Sequence, residues 1–197
     1  MFKSRFGALE SGVAFAMTTT AAAVLATSAL PALAGTCAPS TTCETTVTFA
    51  VTSGDGLQVT VPDGPVSLGS AEPGDQISGP LGGITVSDER AALGATWTAT
   101  VSGTDFTTGG GTPAETVPDG DIGYWSGPAT ATTGTGTFVP GQPNASDAEW
   151  LNHPYTAFRK TSGSGYNSAT WNPTIVVDVP AEAVEGTYTG TISHSVA

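Results

Sequence analysis

Hydrophobic and polar residues alternate with a period of two along most of the chain beyond residue 44. No stretch there repeats apolar residues with a helical period for three turns, so the pattern predicts strands. The clearest case is residues 95–106, "ATWTATVSGTDF", where Trp97, Ala99 and Val101 share one face and threonines fill the other. We expect the Trp97 ring to fill the space left by its small neighbours in a core, with one partner for its indole N–H.

The same alternation predicts further strands. Val47, Phe49 and Val51 share one face of residues 45–52, and "SGDG" then turns the chain so that residues 57–61 return as the hairpin partner. Ile84 and Val86 belong to a short strand that precedes the loop "DERAALGA". Two strands near the C-terminus are predicted in "PTIVVDVP" and "GTYTGTISHSV".

Residues 107–172 have a different texture, with runs of Gly, Ser and Thr around sparse apolar residues. The segment nevertheless holds most of the aromatic residues, which disordered segments lack. We therefore expect it to be irregular but folded, with one or two strands such as residues 136–139.

Short strands separated by Gly, Pro and Asp turns, with no helices to cover parallel strands, predict an all-β fold. We expect an antiparallel Greek-key β-sandwich of the Ig-like kind, with residues 107–172 as a long irregular Gly/Thr-rich insertion.

Residues 1–34 have the features of a signal peptide: basic Lys3 and Arg5, an uncharged run, and small residues before a cleavage point between Ala34 and Gly35. This predicts a secreted domain, residues 35–197, that is extracellular or associated with the cell wall and is not inserted in the membrane after cleavage. An uncleaved anchor and a lipoprotein signal at Cys37 are the alternatives. In an oxidising compartment Cys37 and Cys43 would form a disulfide that closes a small loop.

The chain carries a formal net charge of −12. Only Arg90, Arg159 and Lys160 are basic beyond the predicted signal peptide, which excludes nucleic acid as a partner. The same charge would repel an anionic bilayer or the phosphates of a teichoic acid.

The stretches "LGGITVSDERAALGATWTATVSGTDF" and "PTIVVDVPAEAVEGTYTGTISHSV" together resemble the WxL domain. In that family, extracellular domains of Gram-positive bacteria attach proteins non-covalently to the cell wall, with peptidoglycan as the reported ligand class. The resemblance covers residues 81–197, and more loosely the chain from residue 44. It implies a wall-associated domain that is not an enzyme.

This chain departs from the family at the two motifs that give it its name. The first Trp-x-Leu appears as Trp97-Thr98-Ala99, and the second position holds His194-Ser195-Val196 with no tryptophan. The chain therefore resembles a diverged relative, of an actinobacterial type in its Ala, Gly and Thr content.

Five aromatic residues are candidates for binding a ligand, because a flat ring on a loop can stack against the apolar face of a sugar. The alternative is that they form a satellite cluster that packs the long segment onto the sandwich. The candidates are Trp125, Trp150, Tyr155, Tyr166 and Trp171.

Other motifs give weaker signals. His194 alternates in phase with Ile192, which predicts a half-buried imidazole, and neither it nor His153 has a metal-ligand spacing. Asp119 and Asp121 lack the further ligands of a calcium loop. No nucleophile elbow, zinc-protease helix or phosphate loop occurs, so we expect no catalytic residues, no metal and no cofactor.

The sequence thus predicts a secreted, non-enzymatic domain of the cell envelope that binds peptidoglycan or another cell-wall glycan. The alternative is an extracellular structural or protein-interaction module without glycan binding, whose partner is another exported surface protein.

Overall fold

The computed structural model describes residues 38–40 and 42–197 of the chain. Within these residues there are fourteen β-strands and three short 3-10 helices, and no α-helix. The fold is therefore all-β, as the alternation predicted.

The strands are short, as expected from the close spacing of Gly, Pro and Asp turns. In chain order they are β1 (Leu57–Thr60), β2 (Gln76–Pro80), β3 (Ile84–Asp88), β4 (Trp97–Gly103), β5 (Phe106–Thr107), β6 (Thr116–Val117), β7 (Ile122–Trp125), β8 (Ala129–Thr133), β9 (Phe138–Pro140), β10 (Glu149–Trp150), β11 (Tyr155–Lys160), β12 (Asn167–Trp171), β13 (Thr174–Asp178) and β14 (Ile192–Val196). The 3-10 helices are Pro113–Glu115, Asp119–Asp121 and Ala145–Asp147.

These strands form three four-stranded sheets and one two-stranded ribbon, β5-β6. Sheet A has the order β1-β3-β12-β8, sheet B the order β10-β7-β13-β2, and sheet C the order β14-β4-β11-β9. All the strand pairs are antiparallel, and the arrangement is sandwich-like. The Greek-key and Ig-like details of the fold stay predictions.

One core joins the three sheets. The Trp171 ring of sheet A stacks on the Phe158 ring of sheet C, with 4.9 Å between the ring centroids. The Trp171 indole N–H also donates to the Tyr124 hydroxyl of sheet B at 3.0 Å. All three side chains are fully buried, so each sheet contributes one face to a single apolar interior.

Strand β4 behaves as its sequence predicted. Trp97, Ala99 and Val101 are buried, while Thr98 on the opposite face is exposed. The Trp97 ring packs near the rings of Phe138 and Phe158, with centroid distances of 6.3 Å and 6.4 Å. The bulk that the small neighbours of Trp97 lack is thus supplied by aromatic side chains from β9 and β11.

The predicted hairpin between residues 45–52 and 57–61 is wrong. Residues 45–52 are exposed and belong to no strand. Strand β1 pairs instead with β3, with Leu57 opposite Asp88. The predicted turn at residues 53–56 is present as a bend. Strand β1 nevertheless pairs with the distant strand β3, which pairs on its other side with β12.

The prediction of an irregular insertion over 107–172 also needs correction. That segment contains β6 to β12, and β7, β11 and β12 each have a strand on both sides. The strands were not apparent because their partners are distant: β12 pairs with β3, and β11 pairs with β4. Their alternation is also weakened by the small residues that pack beside large rings.

The chain divides into two units, residues 1–48 and 49–197. The described residues of the first unit are exposed and have no regular structure, and the second unit contains every strand. The predicted signal peptide, its cleavage point and Cys37 lie outside the described residues. Cys43 is disulfide-bonded, and its pairing with Cys37 stays a prediction. No helix in the described part of the chain is long and apolar enough to cross a membrane.

Candidate functional site

Two of the predicted ligand residues share the outer face of sheet B. In β7, Ile122 and Tyr124 are fully buried in the core, so the alternating positions Gly123 and Trp125 face outward. Strand β10 pairs with β7 so that Trp150 lies directly opposite Gly123. Trp125 and Trp150 are therefore diagonal neighbours on one face, a spacing within the reach of large aromatic rings.

Gly123 leaves room for the Trp150 ring beside β7. A Cβ atom placed on Gly123 would lie 3.2 Å from Cζ3 of Trp150, so the six-membered ring occupies the space that a side chain would otherwise fill. Trp150 remains 39% exposed. Its indole therefore contacts β7 and keeps part of its surface open to solvent, where a ligand could make contact.

Trp125 is half-buried, and its ring lies close to Gly127. The backbone of Gly127 has a positive φ of 66°. A Cβ atom at Gly127 would meet Cζ3 of Trp125 at 3.5 Å. The turn after β7 therefore uses a glycine whose backbone conformation other residues rarely adopt. We name the surface formed by Gly123, Trp125 and Trp150 the aromatic face.

Tyr155 lies at the start of β11 and its ring packs against that of His153, with 4.0 Å between the ring centroids and 35° between the ring planes. Its hydroxyl also contacts Nε2 of His153 at 2.6 Å. Partial burial and the negative charge of Glu149 raise the pKa of the Tyr155 hydroxyl, which keeps it neutral and able to donate a hydrogen bond. Glu149 precedes Trp150 in β10, so the Tyr155–His153 pair belongs to the connection that follows the aromatic face.

The other two candidates lie elsewhere. Tyr166 is 49% exposed and donates its hydroxyl to the carbonyl of Thr52, beside the start of β12 on sheet A. Trp171 is fully buried against Phe158. A ligand cannot reach the Trp171 ring while the core is packed, so the structure places this residue among the core side chains and corrects its assignment as a surface candidate.

A group of polar side chains is buried where β3 ends and β12 begins. The indole N–H of Trp97 donates to Oδ1 of Asn167 at 2.9 Å. The Asn167 amide donates in turn to the Asp88 carboxylate at 3.2 Å and to the carbonyl of Gly165 at 3.1 Å. Asp88 is fully buried. Nε of Arg90 donates to its Oδ1 at 2.8 Å, and Nη2 of Arg90 donates to its Oδ2 at 2.9 Å. Trp97 thus has the single indole partner that we expected.

The electrostatics of this group follow from its pairing. Hydrogen bonds from Arg90, partly opposed by burial, lower the pKa of Asp88 from 3.8 to about 2. Lys160, opposite Trp97 in the register, is also buried, and its ammonium group donates to the carbonyls of Ala95 and Ser162, both at 2.7 Å. Burial lowers the pKa of Lys160. We name this region, in which Asp88, Asn167, Lys160 and Trp97 meet, the closed end.

A second group of hydrogen-bonded polar side chains lies at the opposite end of β12. Trp171 donates to the Tyr124 hydroxyl, which contacts Nε2 of His194 at 3.3 Å. The other imidazole nitrogen of His194, Nδ1, is buried and has no hydrogen-bond partner among the described residues. Burial lowers the pKa of His194 to about 4. His194 is thus half-buried, as its alternation predicted, and one of its two nitrogens is unpaired.

His194 borders an apolar groove of about 940 Å³. Core side chains contribute to its lining: Ile84, Ile175 and Val177, which are buried, and Ile77, which is half-buried. Residues 61–62, 64–73 and 183–191 form most of the rest of the lining, and Val61, Val66 and Val184 among them are exposed. We name this region, the groove together with His194, the open end.

No metal centre is assembled in the described residues: no group of three or more His, Cys, Asp and Glu side chains lies close enough to hold an ion. Asp119 and Asp121 lie in the 3-10 helix Asp119–Asp121, where the backbone N–H of Asp119 donates to the carboxylate of Asp105. This is the arrangement of an ordinary acidic turn.

Asp88, Asn167 and Lys160 were not predicted as buried polar residues. Neither the contact of Gly123 with Trp150 nor the groove was predicted. Asp88 continues the phase of Ile84 and Val86, and Asn167 continues that of Ala169 and Trp171. This phase was a usable signal for burial. The groove had no signal in the sequence, because its lining comes from separate segments of the chain.

No protein-family model and no curated protein matches this chain. The resemblance to the WxL domain therefore rests on the residues and motifs described in the sequence analysis.

Proposed function

We propose that this chain is a secreted, non-enzymatic domain of the bacterial cell envelope that binds neutral cell-wall glycan, with peptidoglycan as the ligand class. The observation that carries the proposal is the aromatic face. Trp150 packs beside Gly123 and stays partly exposed, and Trp125 is its neighbour on the same face of sheet B.

The chemistry of stacking fits the charge of the protein. With a formal net charge of −12 the domain cannot bind an anionic polymer through its own side chains. A sugar ring presents apolar C–H groups to an indole face and hydroxyls at its rim, and neither needs a positive charge. A second route, in which a divalent cation bridges acidic side chains to an anionic wall polymer, differs because a chelator would abolish it.

The resemblance to the WxL domain supports the same ligand class but not the same residues. The position of the second family tryptophan is occupied by His194, which lies at the open end rather than on the aromatic face. In this chain the binding role would therefore be carried by Trp125 and Trp150.

The test is a binding assay with purified insoluble peptidoglycan stripped of teichoic acid, with and without EDTA. We expect saturable binding that survives EDTA and weakens by about fivefold in Trp150→Ala, since an aromatic contact contributes on the order of 1 kcal/mol and each 1.4 kcal/mol is tenfold. Tyr166→Ala is the matched control: it removes an exposed ring away from the aromatic face and should bind like the parent chain.

Each contrary result has a definite meaning. Binding that EDTA abolishes would replace stacking by a cation bridge. Equal losses in Trp150→Ala and Tyr166→Ala would remove the aromatic face as the site. An absence of binding under every condition would overturn the proposal in favour of a protein-interaction module, and turnover of the glycan would overturn the non-enzymatic part.

A further inference from the structure

The open end and the exposed segment 45–52 have complementary chemistry. We propose that the groove at the open end receives residues 45–52 of a second copy of this chain as an added β-strand. This inference goes beyond glycan binding and does not depend on it, because the groove and the aromatic face share no residue.

The segment has the pattern of a strand but no sheet. Its apolar residues Val47, Phe49 and Val51 are 81%, 88% and 77% exposed. The residues between them are Thr48 and Ala50, so in an extended conformation one face is apolar and the other is small or polar. Exposed apolar side chains in such a row are typical of a surface that another element covers.

Most of the large hydrophobic residues that are exposed in the described chain belong to the groove or to the segment. Nine large hydrophobic residues are exposed, and six of them belong to these two features. Three are the segment residues, and three line the groove: Val61, Val66 and Val184. Placing one in the other would remove all six from water in a single contact.

The backbone of the groove can accept a strand. Strand β14 borders the groove through Ile192 and His194, and it pairs with β4 along one edge and with no other strand of the described chain. Strand β2 borders the groove through Ile77 and likewise pairs with β13 alone. Strand β1 lies near β14, so the unpaired edge of β2 is the one that we assign to strand addition, in which the main chain supplies hydrogen bonds and alternate side chains enter the channel.

Charge selects this segment from the rest of the chain. Residues 45–54 contain no charged side chain, although the chain as a whole carries a net charge of −12. The groove wall contains Glu72 and Glu185 and no basic residue. An uncharged strand can enter beside these carboxylates, whereas an acidic segment would be repelled.

Geometry favours the segment of a second copy over that of the same copy. The carbonyl of Thr52 is held by Tyr166, and the amide of Gly54 donates to Glu89, so the segment is attached at the Asp88 end of β3. The groove begins at Ile84, the other end of β3, about 13 Å away for a five-residue strand. Eight extended residues could span that distance, yet in the single chain Phe49 and Val51 are exposed, so we assign the segment to the groove of a second copy.

Reciprocal exchange gives an interface of adequate size. One phenylalanine ring contributes about 200 Å² of buried surface. Two exchanged segments of eight residues, with the two grooves that receive them, reach on the order of 1,200–2,000 Å², which is the size of a stable interface. The contact would be isologous, as in most homodimers.

The experiment places a photo-crosslinking group on the segment of the full chain. Phe49→benzoylphenylalanine is prepared in unlabelled and ¹⁵N-labelled forms, which are mixed, irradiated, digested and analysed by mass spectrometry. We expect crosslinks from position 49 to residues 61–73 or 183–194, with half of them joining a light to a heavy peptide when exchange is complete. Light scattering should report a dimer.

Two substitutions test which face of the added strand enters the groove. Phe49→Asp places a charge in the groove and should raise the dissociation constant of the dimer by at least about tenfold. Thr48→Asp adds the same charge one residue away on the outward face and should leave the dimer intact. Both residues are exposed in the single chain, so neither change disturbs the folded domain, which a thermal melt of each variant verifies.

The contrary outcomes are distinct. Crosslinks to the groove that are entirely light–light or heavy–heavy would mean that each chain fills its own groove, and would overturn the second-copy assignment. A monomer with no crosslink to the groove would overturn the proposal entirely. Trp150→Ala serves as the link to the glycan assay: it should leave dimerisation unchanged whether or not it affects peptidoglycan binding.

Discussion

The closed end and the open end are built on the same strands but differ in how their polar groups are paired. Strand β3 has Asp88 at one end and Ile84 at the other, and β12 has Asn167 opposite Asp88 and Trp171 opposite Ile84. At the closed end the buried side chains of Asp88, Asn167 and Lys160 all have hydrogen-bond partners. At the open end Nδ1 of His194 has none, and a groove of about 940 Å³ lies beside it.

This difference shows how one small core can serve two purposes. A buried polar network stabilises a unique packing only when its members are satisfied. A buried polar group without a partner reduces stability, whereas exposed apolar side chains such as Val61, Val66 and Val184 of the groove favour association. We therefore assign stability to the closed end and association to the open end.

The largest effect that would test this comparison is expected from Asp88→Ala. The change leaves Arg90 and the Asn167 amide without their acceptor at the closed end, and we expect a loss of about 2–3 kcal/mol in the free energy of unfolding. The value lies at the lower side for a broken buried pair because the Arg90 side chain is 37% exposed and can turn toward water. Urea unfolding measures it.

The matched control is Asp178→Ala, which removes an acidic side chain whose bond to Gln76 lies at the surface. We expect a change below about 1 kcal/mol for such an exposed interaction. Equal losses in the two variants would mean that the closed end contributes no special stability.

An intermediate effect on stability is expected from pH. Stability should decline over one pH range because of the open end and over a lower pH range because of the closed end. Burial lowers the pKa of His194 from 6.5 to about 4, so the unfolded chain takes up this proton first and stability falls as the pH drops from 6.5 toward 4. The pKa of Asp88 is lowered from 3.8 to about 2, so its contribution is complete above pH 3.8 and is lost as the pH drops toward 2.

Variants assign each window to its end. His194→Leu should remove the decline between pH 6.5 and 4 and keep the one at lower pH, while Asp88→Asn should do the reverse. Thermal unfolding across this pH range is the measurement. A decline above pH 4 that persists unchanged in His194→Leu would show that another group causes it.

The smallest effect is expected from His194→Leu at neutral pH. The substitution removes one hydrogen bond with Tyr124, but it also removes a buried nitrogen that has no partner, and the two changes oppose each other. We expect a net change within about 1 kcal/mol in the free energy of unfolding. A loss as large as that of Asp88→Ala would mean that the two ends are equally satisfied.

Much of the fold could be predicted from alternation alone. Strands β3, β4, β13 and β14 occur where the pattern placed them, and the burial of Trp97 followed from its small neighbours. The strands of residues 107–172 could not be predicted in the same way, because their small residues pack against rings that come from other sheets. The hairpin failed because β3, 24 residues or more along the chain, competed for the same edge of β1.

The features of the candidate site can be separated in the same way, into those that the sequence determines and those that depend on strand pairing. The sequence by itself determined the residue types: tryptophans within the Gly- and Thr-rich segment, a strong negative charge, and an uncharged alternating segment at 45–52. Alternation specifies which face of a strand is apolar, and this requires no knowledge of the partner.

Only the tertiary structure decided which of these features meet. It put Trp150 beside Gly123 and on the same face as Trp125, it buried Trp171, and it left β14 and β2 bordering an apolar groove. The physical reason is that strand pairing in this fold joins residues far apart in sequence. Which rings remain open, and which edge remains free, depends on that pairing rather than on any local pattern.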